Sequence, residues 1–575
     1  MRTLRPILIL LPTLALVGAA VWFFTKSPKP DTEGDPAAAE GGRLLVIVVF
    51  DQLRGDYLRN WNTAFGPDGF EKLKRDGVWY SNTTLPYACS ATGPGHASIV
   101  TGAPPSVHGI VENGWFNREK GKLDYASSAE EAYPRVPPSA GDKSPGLAPS
   151  RLLAPTITDS LKAGTSAKGR LFSLSLKDRA AVLMGGKDPA GVYCFDSSTG
   201  EFHTSKYYRD RLPAWVEQFN KSDIPNRWGG KTWDRLGTAT DYDRLAGPDN
   251  QPGEDGAIIT LPKTLPTADS GGIYYSALER TPFGNELLWE FTKAAIAAEK
   301  LGTHGSTDVL CVSFSSNDII GHANGPNSHE VLDVTLRSDK LIGEMIKYLD
   351  ETVGKEKYSL VVTSDHGIAP LPEVAVKTHP EATRIIYGDL VNGLEEALDD
   401  TFFGKSAIAR NWVEADFKNT RPWVFLNRRL IESTGVPFVE VESYARKWLA
   451  NRPDAVTAFS RSQLVNGLGP NATADENKYF DAVKQAFHPD RCGDIYIVQR
   501  PYTQLTGKAG FGRGVDHGTV FDYDRDVFIL AYGARVPKLG LQDKPMSSLA
   551  VTPMVCKLLG ITPPEKAMEK LPTGW

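Results

Sequence analysis

The chain has 575 residues, 41% of them hydrophobic and 23% charged, with a net charge of −5. That length supports one large core with insertions or two to three domains, and the mild acidity argues against general nucleic-acid binding while leaving room for a local basic pocket. The five cysteines, Cys89, Cys194, Cys311, Cys492 and Cys556, are scattered and odd in number, which argues against a disulfide framework; Cys311 and Cys556 fall in apolar patterns that read as core.

Arg2 and Arg5 precede an uncharged run from Pro6 to Thr25. Such a run is just long enough to span a bilayer, and the arginines hold its start on the cytoplasmic side, so the remainder is exported. Trp22-Phe23-Phe24 stands where a cleavage site would need small residues, which favours an uncleaved inner-membrane anchor over residues 6–25; a cleaved signal peptide is the alternative. Residues 26–42, rich in proline, acidic residues and alanine, read as an exposed linker.

The next stretch organises the rest. Leu44 to Phe50 is wholly apolar, the pattern of a central parallel strand buried on both faces, and it runs into Asp51. A short helix is expected over Gly69 to Asp76 and a strand over Val78 to Thr84. The small residues from Tyr87 to Gly102 suit a tight turn and a helix start, with Thr92 at or just before the N-terminus, where free amides favour an anion. Residues 101–114, including Asn113, read as loop, as do residues 119–156. A helix is expected over Thr156 to Ala163, then a strand over Arg170 to Leu176 followed at once by Lys177-Asp178-Arg179, and a possible strand over Gly191 to Phe195. Residues 197–278 read as loops with short helices, and Pro282 to Lys300 as a clear helix.

Asp308 to Ser315 is a second buried strand, leading to Asp318 and His322. Apolar positions between Ser328 and Thr352 recur at helical spacing. The strand Tyr358 to Thr363 then ends in Ser364-Asp365-His366-Gly367. Residues 372–513 mix short strands and helices as a cap would, and Gly514-Val515-Asp516-His517-Gly518-Thr519 returns the chain to the core. A strand is expected over Asp526 to Tyr532 and a helix over Ser547 to Leu559, with a loosely packed tail.

Three apolar strands thus each lead to an aspartate, Asp51, Asp318 or Asp365, at the strand ends where open α/β sheets place ligands. Unpaired buried carboxylates are costly, and a metal ion accounts for them. Asp318 and His322, four apart, can face one ion with His517 as third ligand; Asp51, Asp365 and His366 can hold a second, completed by the Thr92 hydroxyl. The three histidines favour zinc over magnesium or manganese. His96 and His108 are expected to position loops rather than bind metal.

The chain resembles the alkaline phosphatase superfamily. The likeness is carried by Val-Phe-Asp-Gln-Leu-Arg-Gly-Asp-Tyr-Leu at 49–58, Thr-Gly-Pro-Gly-His at 92–96, His-Gly-Ile-Val-Glu-Asn at 108–113 and Ser-Leu-Lys-Asp-Arg at 175–179. Asp-Ile-Ile-Gly-His at 318–322, Gly-Pro-Asn-Ser at 325–328, Ser-Asp-His-Gly at 364–367 and Asp-His-Gly-Thr at 516–519 complete it. It is most similar to the bacterial monomeric alkaline phosphatases with a threonine nucleophile, which sit beside the nucleotide pyrophosphatase/phosphodiesterase branch. The resemblance implies Thr92 as nucleophile, the two ligand sets above around two zinc ions, Asn113 as a donor to a phosphoryl oxygen, and Lys177 with Arg179 as the cation pair of the phosphomonoesterases. Lys177 and Arg179, two apart on an extended segment, would face the same way, with Asp178 pointing away.

The expectations are therefore an α/β fold: an alkaline-phosphatase-like core with a mostly parallel central sheet flanked by helices, and large cap insertions. Residues 1–25 would be the signal or anchor and 26–42 the linker. The first part of the core would run over 43–371, with an insertion at 119–300 carrying Lys177 and Arg179; the cap would span 372–513 and the end of the core 514–575. The expected activity is zinc-dependent hydrolysis of small phosphate monoesters through a phosphothreonine, with inorganic phosphate as product and inhibitor. A phosphodiesterase on the same frame is the alternative. The expected protein is a periplasmic or otherwise extracytoplasmic monomer without nucleic-acid partners.

Overall fold

The structure, a computed structural model, describes residues 43–129, 133–138, 146–237, 240–256, 258–404, 410–507 and 513–575. The expected anchor at 6–25 and the linker at 26–42 lie outside the described residues. Among the described residues no helix is long and apolar enough to cross a membrane.

An eleven-stranded sheet organises the compact unit Gly42–Trp575. Its centre is parallel, in the order Tyr358–Thr363, Arg43–Phe50, Thr307–Phe314, Arg170–Ser175, Gly191–Asp196. On one side Asp526–Gly533 and Val78–Thr84 continue it antiparallel, and on the other Glu201–Ser205 and Arg135–Val136 do the same. The expected insertion at 119–300 is therefore partly sheet: it supplies four strands of the main sheet, including the one that leads to Lys177.

The alternation of the Arg43–Phe50 strand explains its uniform apolarity. Leu44, Val46, Val48 and Phe50 join one hydrophobic cluster, and Leu45, Ile47 and Val49 join another on the opposite face. Each of these side chains is 2% exposed or less, and burial of one is worth about 1.5–3 kcal/mol.

Expected helices and strands match closely even where short, Val78–Thr84 to the residue and Gly69 to Asp76 as Phe70–Asp76; the expected loops do not. Residues 101–114, expected as loop, include the helix Pro105–His108. Ser547 to Leu559 divides into a 3-10 turn, Ser548–Ala550, and the helix Val551–Leu559. The tail is pinned rather than loose, since the Trp575 indole N–H donates to the Tyr80 hydroxyl at 2.8 Å. Between 372 and 513 the chain forms a three-stranded sheet of Trp423–Val424, Ile495–Gln499 and Ala455–Ser460, a parallel pair Thr383–Ile386 and Thr503–Thr506, and a hydrophobic cluster of its own.

Candidate active site

Four neighbouring parallel strands deliver the polar residues at their C-terminal ends. In sheet order, Tyr358–Thr363 leads to Asp365 and His366, Arg43–Phe50 to Asp51, Thr307–Phe314 to Asp318 and His322, and Arg170–Ser175 to Lys177 and Arg179. The sheet order therefore sets these residues side by side although they are far apart in the chain.

Asp318 and His322 lie one helical turn apart on Ser316–Asn324. His517 joins them because two backbone stretches zip together: the Val515 amide donates to the His322 carbonyl at 2.9 Å, and the His322 Nδ1 donates to the Val515 carbonyl at 2.8 Å. Gly514 permits the approach, with φ of +60° and a missing Cβ that would strike the His322 carbonyl. The ligand atoms of Asp318, His322 and His517 fall within 4.8 Å of one another, as do those of Asp51, Asp365 and His366. These are the two sets expected from the sequence.

The donor atoms fit divalent cations. All three imidazoles present Nδ1 to a backbone carbonyl: His322 to Val515 at 2.8 Å, His517 to Ser90 at 2.7 Å and His366 to Gly367 at 2.9 Å. Each Nε2 lone pair is thereby turned to the carboxylates, the arrangement metal-binding histidines use. In the second set Asp51 Oδ1, Asp365 Oδ2 and His366 Nε2 are buried and accept or donate no hydrogen bond. The His366 Nε2 lies 3.3 Å from Asp51 Oδ1 and 3.5 Å from Asp365 Oδ2, and the Asp318 Oδ1 lies 3.2 Å from His322 Nε2. Tetrahedral ligands at zinc bond lengths stand about 3.3 Å apart, so these spacings match.

Without an ion, protons take its place. Burial opposes charge on His322, but Asp318 outweighs it and lifts the pKa to about 9; at His366 burial is likewise overcome by Asp365 and Asp51, to about 10. His517 moves the other way, to about 3, through burial and the neighbouring His366 and His322. Asp318 stays far below the usual carboxylate range, because His322 and Lys177 overcome its burial.

Thr92 opens the helix Thr92–Thr101, every residue of which is buried. Ala91 at the N-cap gives no side-chain cap, Pro94 has no N–H, and the Gly95 amide bonds the Ala91 carbonyl at 2.9 Å, so of the first turn the Thr92 and Gly93 amides lack a helical partner. The Gly93 amide donates to Asn113 Oδ1 at 2.8 Å, which leaves the Asn113 NH2 group to donate elsewhere. Lys177 Nζ stands 3.4 Å from Thr92 Oγ1, 2.8 Å from Asp51 Oδ2 and in contact with Asp318 Oδ2. Arg179 Nη2 reaches the same hydroxyl at 3.5 Å and its Nη1 holds the Tyr125 hydroxyl at 3.1 Å.

The expected extended segment under Lys177 and Arg179 is corrected by the structure. A helix, Asp178–Gly185, begins at once; Lys177 is its N-cap and Arg179 its second residue. The two cations still converge, because both stand at the helix entrance. Asp178 does turn away, accepting from Tyr125 at 2.8 Å and Ser127 at 3.3 Å.

His96 and His108 position structure. His96 Nδ1 lies 2.8 Å from the Thr92 carbonyl and 3.1 Å from Asp365 Oδ2, and its Nε2 meets Ser313 Oγ at 2.8 Å. His108 ties Ser98 to the Ile110 amide. Sequence reasoning missed Gln52. Its amide donates to Asp365 Oδ1 at 3.1 Å and its Nε2 to Asp318 Oδ1 at 2.6 Å, so it links both ligand sets. Its φ of +67°, rare for a residue with a side chain, leaves no mark in the sequence.

Residues 45–520 match the family described as type I phosphodiesterase / nucleotide pyrophosphatase. The chain is 31% identical over 544 residues to the alkaline phosphatase PhoV of Synechococcus elongatus, covering 94% of each. It is 30% identical over 534 residues to the alkaline phosphatase PafA of Elizabethkingia meningoseptica, covering 92% of this chain and 93% of that one. The crystal structure of wild-type PafA superposes with a TM-score of 0.80 at 30% identity, over 92% of this chain and 98% of that one.

Proposed function

The chain belongs to the type I phosphodiesterase / nucleotide pyrophosphatase family, on its bacterial alkaline phosphatase branch, and from this premise we propose that it hydrolyses small phosphate monoesters outside the cytoplasm with Thr92 and two zinc ions. The observation that carries the reading is the convergence of two cations, Lys177 and Arg179, on one buried hydroxyl. A monoester dianion carries one more charge than a diester and gains most from that pair, arginine supplying fork geometry and lysine a point charge.

Asp318, His322 and His517 would hold one zinc ion, and Asp51, Asp365 and His366 the other, with Thr92 beside it. When bound, the ions make a hydroxyl acidic at moderate pH and offset charge on phosphoryl and leaving oxygens. The residues do the rest. Thr92 Oγ adds to phosphorus as the ester oxygen departs, and water then cleaves the phosphothreonine to inorganic phosphate, restoring the hydroxyl. Lys177, Arg179, the Asn113 NH2 group and the Thr92 amide meet the charge on the equatorial oxygens. His96 fixes the Thr92 carbonyl and hence the nucleophile's backbone.

The extracytoplasmic location and a tether through residues 6–25 rest on the sequence pattern alone, and the chain is read as a monomer that takes no nucleic acid. The test compares turnover of phenyl phosphate and of its methyl diester, with zinc measured in parallel. Two zinc ions per chain and a strong preference for the monoester are expected. Lys177→Ala and Arg179→Ala should each lower monoester kcat/KM by about 100-fold while the diester changes little. A diester preference in the unsubstituted chain would favour the phosphodiesterase reading instead.

A further inference from the structure

The two ligand sets differ in access. Asp51, Asp365 and His366 are fully buried, whereas the His322 side chain is 36% exposed. A substrate therefore places its variable part on the His322 side. There the cleft continues into a second cavity of about 470 Å³, sharing His322, Lys418, Arg421 and Asp516 as common walls.

This annex has a marked charge. Arg421 is ion-paired with Asp516, and Arg384 is held by both oxygens of Glu373 at 2.6 and 2.9 Å. What remains on the walls is Arg280, Lys418 and Arg513 against a single carboxylate, Asp255, in a chain whose net charge is −5. No side-chain ion pair engages these three cations among the described residues. They come from three separate places: Arg280 follows the helix Gly272–Glu279, Lys418 lies on Phe417–Thr420 in the stretch between the strands Tyr358–Thr363 and Asp526–Gly533, and Arg513 precedes the turn that carries His517. The Arg513 amide is fixed by the Gly253 carbonyl at 3.2 Å. Three unconnected elements that place exposed cations on the walls of one cavity beside the open side of the site are a means of recognising an anion.

We propose that this annex binds a second phosphoryl group carried by the leaving group, so that small organic bisphosphates are preferred over monophosphates of the same alcohol. The proposal rests on the phosphomonoesterase reading above. Rim cations attract mainly through space, so the preference is salt-sensitive.

The experiment uses the zinc-loaded full chain and measures kcat/KM for butane-1,4-diol monophosphate, the corresponding bisphosphate and phenyl phosphate, at low salt and at about 1 M salt, where the Debye length is about 3 Å. At low salt the bisphosphate should lead by about tenfold after correction for its two equivalent ends, and the lead should vanish at high salt. Arg280→Ala, Lys418→Ala and Arg513→Ala should each reduce the lead severalfold, and Lys418→Arg should restore it, which also separates the effect from misfolding. A ratio near one in the unsubstituted chain would overturn the proposal, as would variants that lower mono- and bisphosphate turnover by the same factor. Absence of phenyl phosphate turnover would sink the underlying reading, and the proposal with it.

Discussion

At the scale of single residues, the site is a problem of charge held out of water. Asp51 and Asp365 are 0% exposed and Asp318 is 3% exposed, and three buried carboxylates in one cleft are tolerable only beside cations. Lys177 bridges two of them directly. Its pKa rises because Asp318 and Asp51 overcome its burial, so it stays charged throughout the working range. The placements of the clustered carboxylates and histidines were legible from side-chain chemistry at strand ends. Those of Gln52 and Tyr125 were not, because their effect comes from where a backbone amide or phenol points. Thr92→Ala is expected to remove at least about 10³-fold of the monoester rate. Acid quenching of the unsubstituted enzyme during turnover of labelled phosphate ester should leave label on Thr92. Label on any other residue, or none under conditions where hydrolysis of the intermediate is slow, would count against a threonine nucleophile.

Among elements, the close approach of two backbones sets the geometry. Gly95, on the Thr92 helix, faces the loop after the Tyr358–Thr363 strand; a Cβ there would stand 2.5 Å from the Asp365 carbonyl. Gly95→Ala must push the helix that carries Thr92 away from Asp365. A displacement of about 1 Å costs about 100-fold in rate. The expected result is that loss in kcat with reduced zinc content and an unchanged circular dichroism spectrum. Full activity would mean that this contact does not set the distance. Elsewhere, buried Glu254 and Glu330 repel each other, with Lys263 Nζ 2.7 Å from Glu330. Burial, then Glu330, raises the Glu254 pKa from 4.5 to about 9. Between those values the native state holds a proton that the unfolded chain releases, so this group's contribution to stability falls as pH rises. Glu254→Gln should remove that slope, which is at most about 1.4 kcal/mol per pH unit, and so stabilise the protein at pH 9 relative to pH 5. Melting curves of both proteins across that range would show it, and parallel pH profiles would contradict it.

For the whole molecule, ions and protons compete for one centre. In the metal-free chain, protonated His322 and His366 contribute stability that is complete below about pH 6.5 and lost as pH rises through about 9 to 10. Zinc needs the neutral imidazoles, so its stabilising effect should grow over the same window. Chelation is expected to abolish turnover and, at pH 9, to lower the melting temperature; a thousandfold excess of free zinc over Kd returns about 4 kcal/mol per site. A melting temperature indifferent to zinc at pH 9 would contradict the ligand assignment.

The chain by itself determined the strands and the chemistry at their ends. Seven apolar residues followed by aspartate, a helical i,i+4 pair of Asp318 and His322, and Asp365-His366 after an apolar strand are local patterns whose physics is burial, periodicity and ligand type. Only the tertiary structure decided which distant residues meet. Gln52 and Asp365, 313 positions apart, touch because sheet order makes their strands neighbours. Lys177 enters the space between Asp51 and Asp318 because its strand lies next in that order and a helix starts where an extended segment was expected. The basic annex owes its walls to Gln504–Gly507 and Arg513–Asp516, which line it beside His322. Such meetings depend on strand order and on backbone approaches at Gly95 and Gly514, which depend on the folded surroundings of each glycine rather than on its neighbours in the chain.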